Sequence, residues 1–211
     1  MKNTVVYRLD EENPDIDIIK LCAEKIKQGG VVAFPTETVY GVGANAFDEK
    51  AVEEIFYAKE RPLQKPLLCH INSLTQAEEI AFLTEDARRL IAAFTPGPLT
   101  VIVRKKECVP SIVTAGGDTV GLRFPSNKIF ELLSLMSGCP IAATSANMSG
   151  NISAKNGDEV ITELFGRVDI IIDAGRTEYG LESTIISLVD EPKIIRQGAV
   201  GRDELERMIK L

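Results

Sequence analysis

The feature that most constrains this chain is a run of alternating structural signals at residues 31–71, VVAFPTETVYGVGANAFDEKAVEEIFYAKERPLQKPLLCHI. It predicts a buried strand, a loop rich in hydroxyls and glycines, a helix, a cationic loop and a second strand. Two prolines stiffen the cationic loop, and the second strand contains the only histidine of the chain. A strand–helix–strand order indicates an α/β fold. Cations on a stiff loop beside a small polar pocket would suit an anionic nucleotide.

Composition limits the class of protein. The 211 residues, 45% of them hydrophobic, suffice for a sizeable core, and we expect a single domain over residues 1–211. No apolar run is long enough to span a membrane and the N-terminus lacks a signal-peptide pattern, so we expect a cytoplasmic protein. The net charge of −7 argues against nucleic acid as the main ligand, although it allows a local basic pocket.

The four cysteines do not form a metal motif. Cys22, Cys69, Cys108 and Cys139 lie far apart, with no CxxC pair among them. Because one histidine cannot complete a Cys/His zinc set, we interpret them as isolated buried thiols in a reducing compartment and expect no metal site made by the protein alone.

Periodicity and capping signals predict the order of elements. Helices are expected at 15–28, 48–58, 84–94, 126–137, 156–166 and 202–210. Strands are expected at 31–34, 67–71, 99–104, 120–124, 141–143, 169–172, 184–189 and 193–196. The two kinds of element alternate irregularly, with adjacent strands near 99–123 and 184–196. This pattern favours a mixed parallel and antiparallel sheet with packed helices over a purely parallel one.

The cationic loop KERPLQKP carries Lys59, Arg61 and Lys65. Pro62 and Pro66 fix the backbone at their own positions and bias the preceding residues toward extended conformations. Three cations on such a loop can converge on a polyphosphate. The alternative is a solvated basic turn that complements the dipole of the preceding helix.

The segment PTETVYGVGANA, residues 35–46, resembles a GxGxxG/A dinucleotide fingerprint at Gly41, Gly43 and Ala46. We reject that interpretation, because six residues separate the strand from the first glycine and the fingerprint needs the turn to follow directly. The segment is better explained as a loop. Its glycines would let the backbone approach a small ligand, while Thr36 and Thr38 present hydroxyls. A structural turn is the alternative.

A second polar loop, ATSANMSGNISA at residues 143–154, directly follows a buried strand. Loops at the carboxyl ends of strands are where α/β folds bind ligands, and short hydroxyls with free N–H groups can hold phosphate or purine edges. A plain ordered loop is the alternative.

Two further side chains stand out in apolar strands. His70 would ordinarily be a satisfied core residue. Arg123 requires a partner, which would be either an internal carboxylate or the carboxylate or phosphate of a ligand. Polar groups at later strand ends, Ser183, Thr184 and Arg196, are weak signals singly. GxSxG, Walker A, HExxH and EF-hand patterns are absent, so the residues do not support a hydrolase of the Ser-His-Asp or Cys-His type.

Taken together, these motifs resemble the YrdC family of L-threonylcarbamoyladenylate synthases. The resemblance runs from about residue 15 to the end and rests on six segments in order, FPTETVYGVGANA, KERPLQKPLLCHI, PGPLTVIV, GLRFPS, SANMSG and ESTII…IIRQGAV. The family hallmark, KxR followed by SxN, corresponds to Lys59-Glu60-Arg61 and Ser145-Ala146-Asn147. Some relatives add a linker and a second C-terminal domain, so we expect the short form here.

The resemblance implies an activity. Family members join L-threonine, bicarbonate and ATP into threonylcarbamoyl-AMP and release pyrophosphate. Partner proteins then transfer the threonylcarbamoyl group to an adenosine of tRNA. The family fold is a twisted mixed sheet around a concave, positively lined cavity. Magnesium is expected to arrive with the ATP, and a weak direct contact with tRNA is left open.

The resemblance also implies residue roles. Lys59 and Arg61 would be catalytic. The L-threonine site would comprise Thr38, His70, Arg123, Ala143 and Ser183. The ATP site would comprise Lys59, Arg61, Lys65, Thr119, Ser145, Asn147, Ser153 and Arg196.

The sequence is also compatible with two other functions. A non-catalytic module that binds double-stranded RNA or tRNA could use a concave basic surface, although the net charge of −7 argues against it. The same domain also occurs in hydrogenase-maturation carbamoyltransferases. Those chains carry acylphosphatase and zinc-finger segments, which this sequence lacks.

Overall fold

A computed structural model describes all residues from 1 to 211. Its helices are α1 (Ile16–Lys27), α2 (Glu49–Lys59), α3 (Leu74–Ile80), α4 (Glu85–Phe94), α5 (Lys128–Ser137), α6 (Gly157–Leu164) and α7 (Arg202–Glu206). Its strands are β1 (Val5–Arg8), β2 (Val32–Phe34), β3 (Gly41–Asn45), β4 (Leu68–His70), β5 (Ala81–Phe82), β6 (Leu99–Lys105), β7 (Thr119–Arg123), β8 (Ile141–Ser145), β9 (Ile170–Asp173), β10 (Thr184–Ser187) and β11 (Lys193–Arg196).

All strands join one mixed sheet in the order β1-β9-β2-β3-β8-β4-β7-β6-β10-β11, with β5 paired to β6. The pairs β1–β9, β2–β9, β4–β7 and β6–β10 are parallel, and the remaining pairs are antiparallel. The expected mixed α/β sheet is therefore confirmed.

Helices cover both faces of the sheet. On one face, α1 and α5 pack against each other and bury a smaller apolar cluster that includes Ile19, Phe34 and Phe130. On the other face, α2, α4 and α6 contribute to a larger cluster that includes Ile55 and Leu90. None of the helices combines the length and apolar character that a membrane crossing requires.

Local capping explains several helix starts. The Asp48 carboxylate accepts hydrogen bonds from the N–H groups of Lys50 and Ala51, so the expected N-cap of α2 is confirmed. Thr84 caps α4 through the N–H of Ala87, again as expected.

Some expectations about elements were wrong. Residues 41–45 form strand β3 and not a loop, because their backbone pairs with both β2 and β8. Helix α5 is capped by Asn127 and begins two residues later than predicted, and α7 ends at Glu206. Strands β1 and β5 and helix α3 were not predicted. The expectation of four buried thiols is wrong for Cys108, which is exposed, whereas the other three cysteines are buried.

Candidate functional site

A cavity of about 390 Å³ lies against the centre of the sheet. This volume is within the range of small-ligand pockets. Strand pairing builds its floor, because β4 pairs with β7 on one side and β8 on the other. Register places His70 beside Arg123, and Leu68 between Ala143 and Gly121. Strands far apart in sequence therefore supply one continuous floor.

The charged residues of the cavity wall are mostly cations: Arg61, Lys65, Arg123 and Arg196. Of the predicted site residues, eight line it: Arg61, Lys65, His70, Arg123, Ala143, Ser145, Ser183 and Arg196. Glu182 is the one carboxylate of the lining. The cavity thus carries a positive balance on a protein of net charge −7, which would concentrate anionic ligands.

Of the two partners left open for Arg123, the internal carboxylate is present in the structure. Its Nη2 donates to Oε1 of Glu37 at 3.0 Å and to the hydroxyls of Thr36 at 3.2 Å and Thr38 at 2.5 Å. The same side chain lines the cavity. Its Nε is buried and has no partner in the protein. The guanidinium is therefore anchored by an internal carboxylate and keeps a donor without a protein partner.

His70 is buried in an aromatic setting that also borders the cavity. Its ring lies 5.9 Å from that of Phe34 and 5.4 Å from that of Phe130, both in edge-on geometry. Burial, together with the nearby charge of Arg123, lowers the pKa of His70 well below its ordinary value. The imidazole is therefore neutral at pH 7, and its buried Nδ1 has no partner.

Lys59 does not line the cavity. The side chain is almost fully buried, and its ammonium donates to the backbone carbonyls of Ser145, at 2.5 Å, and Asn147. Burial, and secondarily the charge of Arg61, lowers the pKa of Lys59 to about 7. Here Lys59 holds the polar loop that follows β8, and its predicted contact with phosphate stays a prediction.

Arg61 turns back on its own loop. Its Nη2 donates to the carbonyl of Pro66 at 2.9 Å and its Nε to the carbonyl of Lys65 at 3.3 Å. Partial burial lowers its pKa, but an arginine remains charged at neutral pH. The KERPLQKP loop is therefore internally braced, with Arg61 and Lys65 in the cavity wall.

The polar loop after β8 is ordered by its own side chains. The amide of Asn147 donates to the carbonyls of Met148 at 2.9 Å and Asn151 at 2.8 Å, while its buried Oδ1 has no partner. Ser153 lies farther along the loop and lines an adjoining, more open depression of about 750 Å³. Asn147 thus shapes the loop and does not line the cavity.

Glu182 connects the two ends of the cavity wall. Its Oε1 accepts from the Ser153 hydroxyl at 2.6 Å, and its Oε2 pairs with Nη1 of Arg196. Arg196 also donates from Nε and Nη2 to the carbonyl of Ser183 at 3.2 and 3.0 Å. The Ser183 hydroxyl contacts that of Thr100 at 2.9 Å. The loop after β8 and strand β11 are therefore held together across β10.

Thr119 and Thr38 are two further predicted site residues that do not line the cavity. Thr119 lies at the start of β7, opposite Arg104, and is not part of the cavity lining. Thr38 lies behind the lining and reaches the site only through Arg123. Sequence reasoning missed Glu37 and Glu182. The one available signal for Glu37 was its position between two threonines already singled out.

The chain lacks a metal-binding cluster of its own. No group of three or more His, Cys, Asp or Glu side chains converges on one point. Within the cavity lining, Glu182 alone offers a carboxylate, and it is already paired with Arg196.

Comparison with known proteins gives the family. The model of the Sua5/YciO/YrdC family, described as "Telomere recombination", matches residues 24–198. The chain belongs to this family. The resemblance drawn from the sequence motifs is thereby confirmed.

Individual family members extend the comparison. The threonylcarbamoyl-AMP synthase of Pyrococcus abyssi is 46% identical over 193 residues, covering 90% of this chain and 57% of that protein. The putative threonylcarbamoyl-AMP synthase of Methanocaldococcus jannaschii is 36% identical over 210 residues, covering 98% of this chain and 99% of that protein. The crystal structure of P. abyssi Sua5 complexed with L-threonine superposes with a TM-score of 0.95 at 43% identity, covering 98% of this chain and 61% of that one.

The 211-residue chain of this protein therefore spans about three fifths of the length of the P. abyssi protein and nearly the full length of the M. jannaschii protein.

Proposed function

We propose that this protein synthesises L-threonylcarbamoyl-AMP from L-threonine, bicarbonate and ATP, releasing pyrophosphate. The product would serve threonylcarbamoyladenosine modification of tRNA through downstream transfer proteins. We also propose that it acts in the cytoplasm. The observation that carries the proposal is Arg123, a cation that lines the cavity and is held in place by the buried carboxylate of Glu37. The carboxylate of an amino acid bound in the cavity would be a suitable partner for this guanidinium.

The amino-acid end of the cavity suits L-threonine. Arg123 would bind the carboxylate, while neutral His70 and the Ser183 hydroxyl offer hydrogen bonds to the remaining polar groups. Ala143 is small enough to leave space above the floor. The relative from P. abyssi has a structure described as a complex with L-threonine, which supports the assignment.

The cationic wall suits the triphosphate of ATP. Arg61, Lys65 and Arg196 line the cavity, as does Ser145. The adenosine half would extend past Glu182 toward the depression that Ser153 lines. Thr119 and Asn147, predicted from the motifs as ATP contacts, would act at the margins of this region.

The proposed chemistry needs no protein nucleophile. The threonine amine attacks the carbon of CO2 and loses a proton, which gives a carbamate; starting from bicarbonate, a water molecule leaves as the C–N bond forms. A carbamate oxygen then attacks the α-phosphorus of ATP, and the bond to pyrophosphate breaks. Cations that neutralise the phosphate oxygens and hold both substrates together would provide most of the rate acceleration.

Magnesium would belong to the substrate. Because one paired carboxylate cannot make an octahedral site, the ion would be held by ATP phosphates and water, and Glu182 is the one acidic side chain of the cavity lining.

The test is pyrophosphate release by the purified protein from ATP, with and without L-threonine and bicarbonate. We expect release only when both are present, with L-serine a poor replacement and threonylcarbamoyl-AMP visible by mass spectrometry. Release that is independent of L-threonine would refute the proposal. Binding of tRNA that weakens with salt, without any turnover of ATP, would instead support the RNA-binding module.

Arg61→Ala tests the phosphate wall. We expect KM for ATP to rise on the order of tenfold, the effect of losing one charge-assisted contact, with KM for L-threonine nearly unchanged. Arg88→Ala is the control, because Arg88 forms a half-exposed ion pair with Glu78 outside the cavity. Unchanged ATP kinetics in Arg61→Ala would remove this loop from the ATP site.

A further inference from the structure

Glu37 is a buried residue whose two carboxylate oxygens and backbone carbonyl all accept hydrogen bonds. Its side chain is 2% exposed. Oε1 accepts from Nη2 of Arg123 at 3.0 Å, and Oε2 accepts from the N–H of Ser126 at 3.1 Å. Its backbone carbonyl accepts from the N–H of Tyr179 at 2.9 Å. Residues 123–126 therefore hold the carboxylate of Glu37, and Tyr179 holds its backbone.

The arrangement sets the orientation of the Arg123 guanidinium. Every hydrogen bond that the protein makes to this group goes through Nη2, to Glu37, Thr36 and Thr38. The buried Nε has no protein partner. A group held at one nitrogen cannot rotate freely, so its remaining nitrogens keep a constant direction.

We propose that Glu37 is a positioning residue for recognition of the substrate carboxylate, acting by directing the free nitrogens of Arg123 at the amino-acid ligand. Glu37 is not part of the cavity lining, so it acts through Arg123 and does not touch the substrate itself. This inference rests on the proposed function, because it takes an amino acid to be the ligand of Arg123.

A second effect of Glu37 works in the opposite direction. Its negative charge offsets that of Arg123 and so weakens the Coulomb attraction for a substrate carboxylate. Positioning outweighs this effect, because a charge-assisted hydrogen bond from a guanidinium depends on the direction in which its N–H groups point. The two effects predict opposite changes in affinity, so a binding measurement separates them.

The experiment is titration calorimetry of L-threonine, L-threoninamide and ATP with the wild-type protein and Glu37→Gln. The substitution removes the charge and keeps the shape of the side chain. We expect the Kd for L-threonine to rise on the order of tenfold, with the Kd for ATP changed less than about twofold. L-Threoninamide lacks the carboxylate charge, so its Kd should change little. The preference for L-threonine over the amide should fall by a similar factor.

The preference ratio is the readout that a merely structural role would not move. General loosening of the site would weaken both ligands alike and preserve the ratio. Glu78→Gln is the matched control, because it breaks the half-exposed ion pair with Arg88 outside the cavity and should leave all three Kd values unchanged. An unchanged ratio in Glu37→Gln, or tighter binding of L-threonine, would overturn the proposal.

A second variant covers the case in which Glu37→Gln does not fold. Glu37→Asp keeps the negative charge but moves it away from Arg123 by the length of one methylene. The preference for L-threonine over L-threoninamide should therefore fall again, and an unchanged preference would contradict the proposal. Binding is measured apart from turnover. A wild-type protein that binds L-threonine with this preference but releases no pyrophosphate refutes the proposed function alone. One that binds no L-threonine overturns both.

Discussion

The buried ammonium of Lys59 gives this protein a testable pH dependence of stability. The group donates to the backbone carbonyls of Ser145 and Asn147 and has almost no exposure to water. Its removal from water, reinforced by the charge of Arg61, lowers its pKa from 10.5 to about 7. Lys59→Met removes the titrating group and keeps an unbranched side chain of similar length.

Whether the free energy of unfolding rises or falls with pH depends on how many protons the folded and unfolded states bind. Between about pH 7 and pH 10.5 the unfolded chain keeps the Lys59 proton, whereas the folded protein has released it. The unfolded state therefore binds more protons, and this group makes the free energy of unfolding rise with pH across that window. Below pH 7 both states are protonated and the contribution is constant. With about 1.4 kcal/mol per pH unit, reduced near pH 7 by half-titration, the gain between pH 7 and pH 9 is about 2 kcal/mol.

Urea unfolding of the wild-type protein and Lys59→Met at pH 7 and pH 9 measures this gain. Other titrating groups contribute equally to both proteins, so they cancel in the difference. We expect the wild type to gain about 2 kcal/mol over the variant as the pH rises. Parallel pH profiles would show that the buried amine does not titrate in this range and would refute the reasoning.

Two further predictions concern the scaffold. Asp48→Ala should lower the free energy of unfolding by about 1 kcal/mol through loss of the N-cap of α2. Urea denaturation measures this change, with Lys50→Ala, at an exposed position of the same helix, as the control. Equal stability of the two variants would contradict the prediction. Gly43→Ala should destabilise the protein by about 1–3 kcal/mol, because an added Cβ would lie 2.6 Å from the carbonyl oxygen of Ala142; an unchanged Tm would show that β3 and β8 can separate without cost.

Local signals were enough to predict most elements. The Asp48 and Thr84 caps marked the starts of α2 and α4, because a side-chain oxygen that satisfies the first N–H groups acts within one turn. Strand β3 escaped prediction because two of its five residues are glycines, which disfavour strands locally. Its pairing on both sides, with β2 and β8, overrides that preference.

The candidate site was predicted in part. The chemistry of Arg61, Lys65 and Arg196 indicated an anion site, and all three line the cavity. Lys59 was grouped with them because it is two residues from Arg61, but the end of α2 directs it into the protein interior. The sequence indicated an internal carboxylate as one of two candidate partners of Arg123. It could not show which of the Asp and Glu residues this would be, so Glu37 was not predicted.

By itself, the sequence determined the class of fold, the order of most elements and the supply of cations and hydroxyls, because these depend on residue type and spacing over a few residues. The tertiary structure decided which of those groups share a cavity. His70 and Arg123 become neighbours through the pairing of β4 with β7, and Ser183 reaches the same cavity through the pairing of β10 with β6. It also decided that Glu37 and Lys59 act from behind the cavity. Long-range strand pairing and the direction of each side chain set these contacts, and neither is encoded in a local pattern.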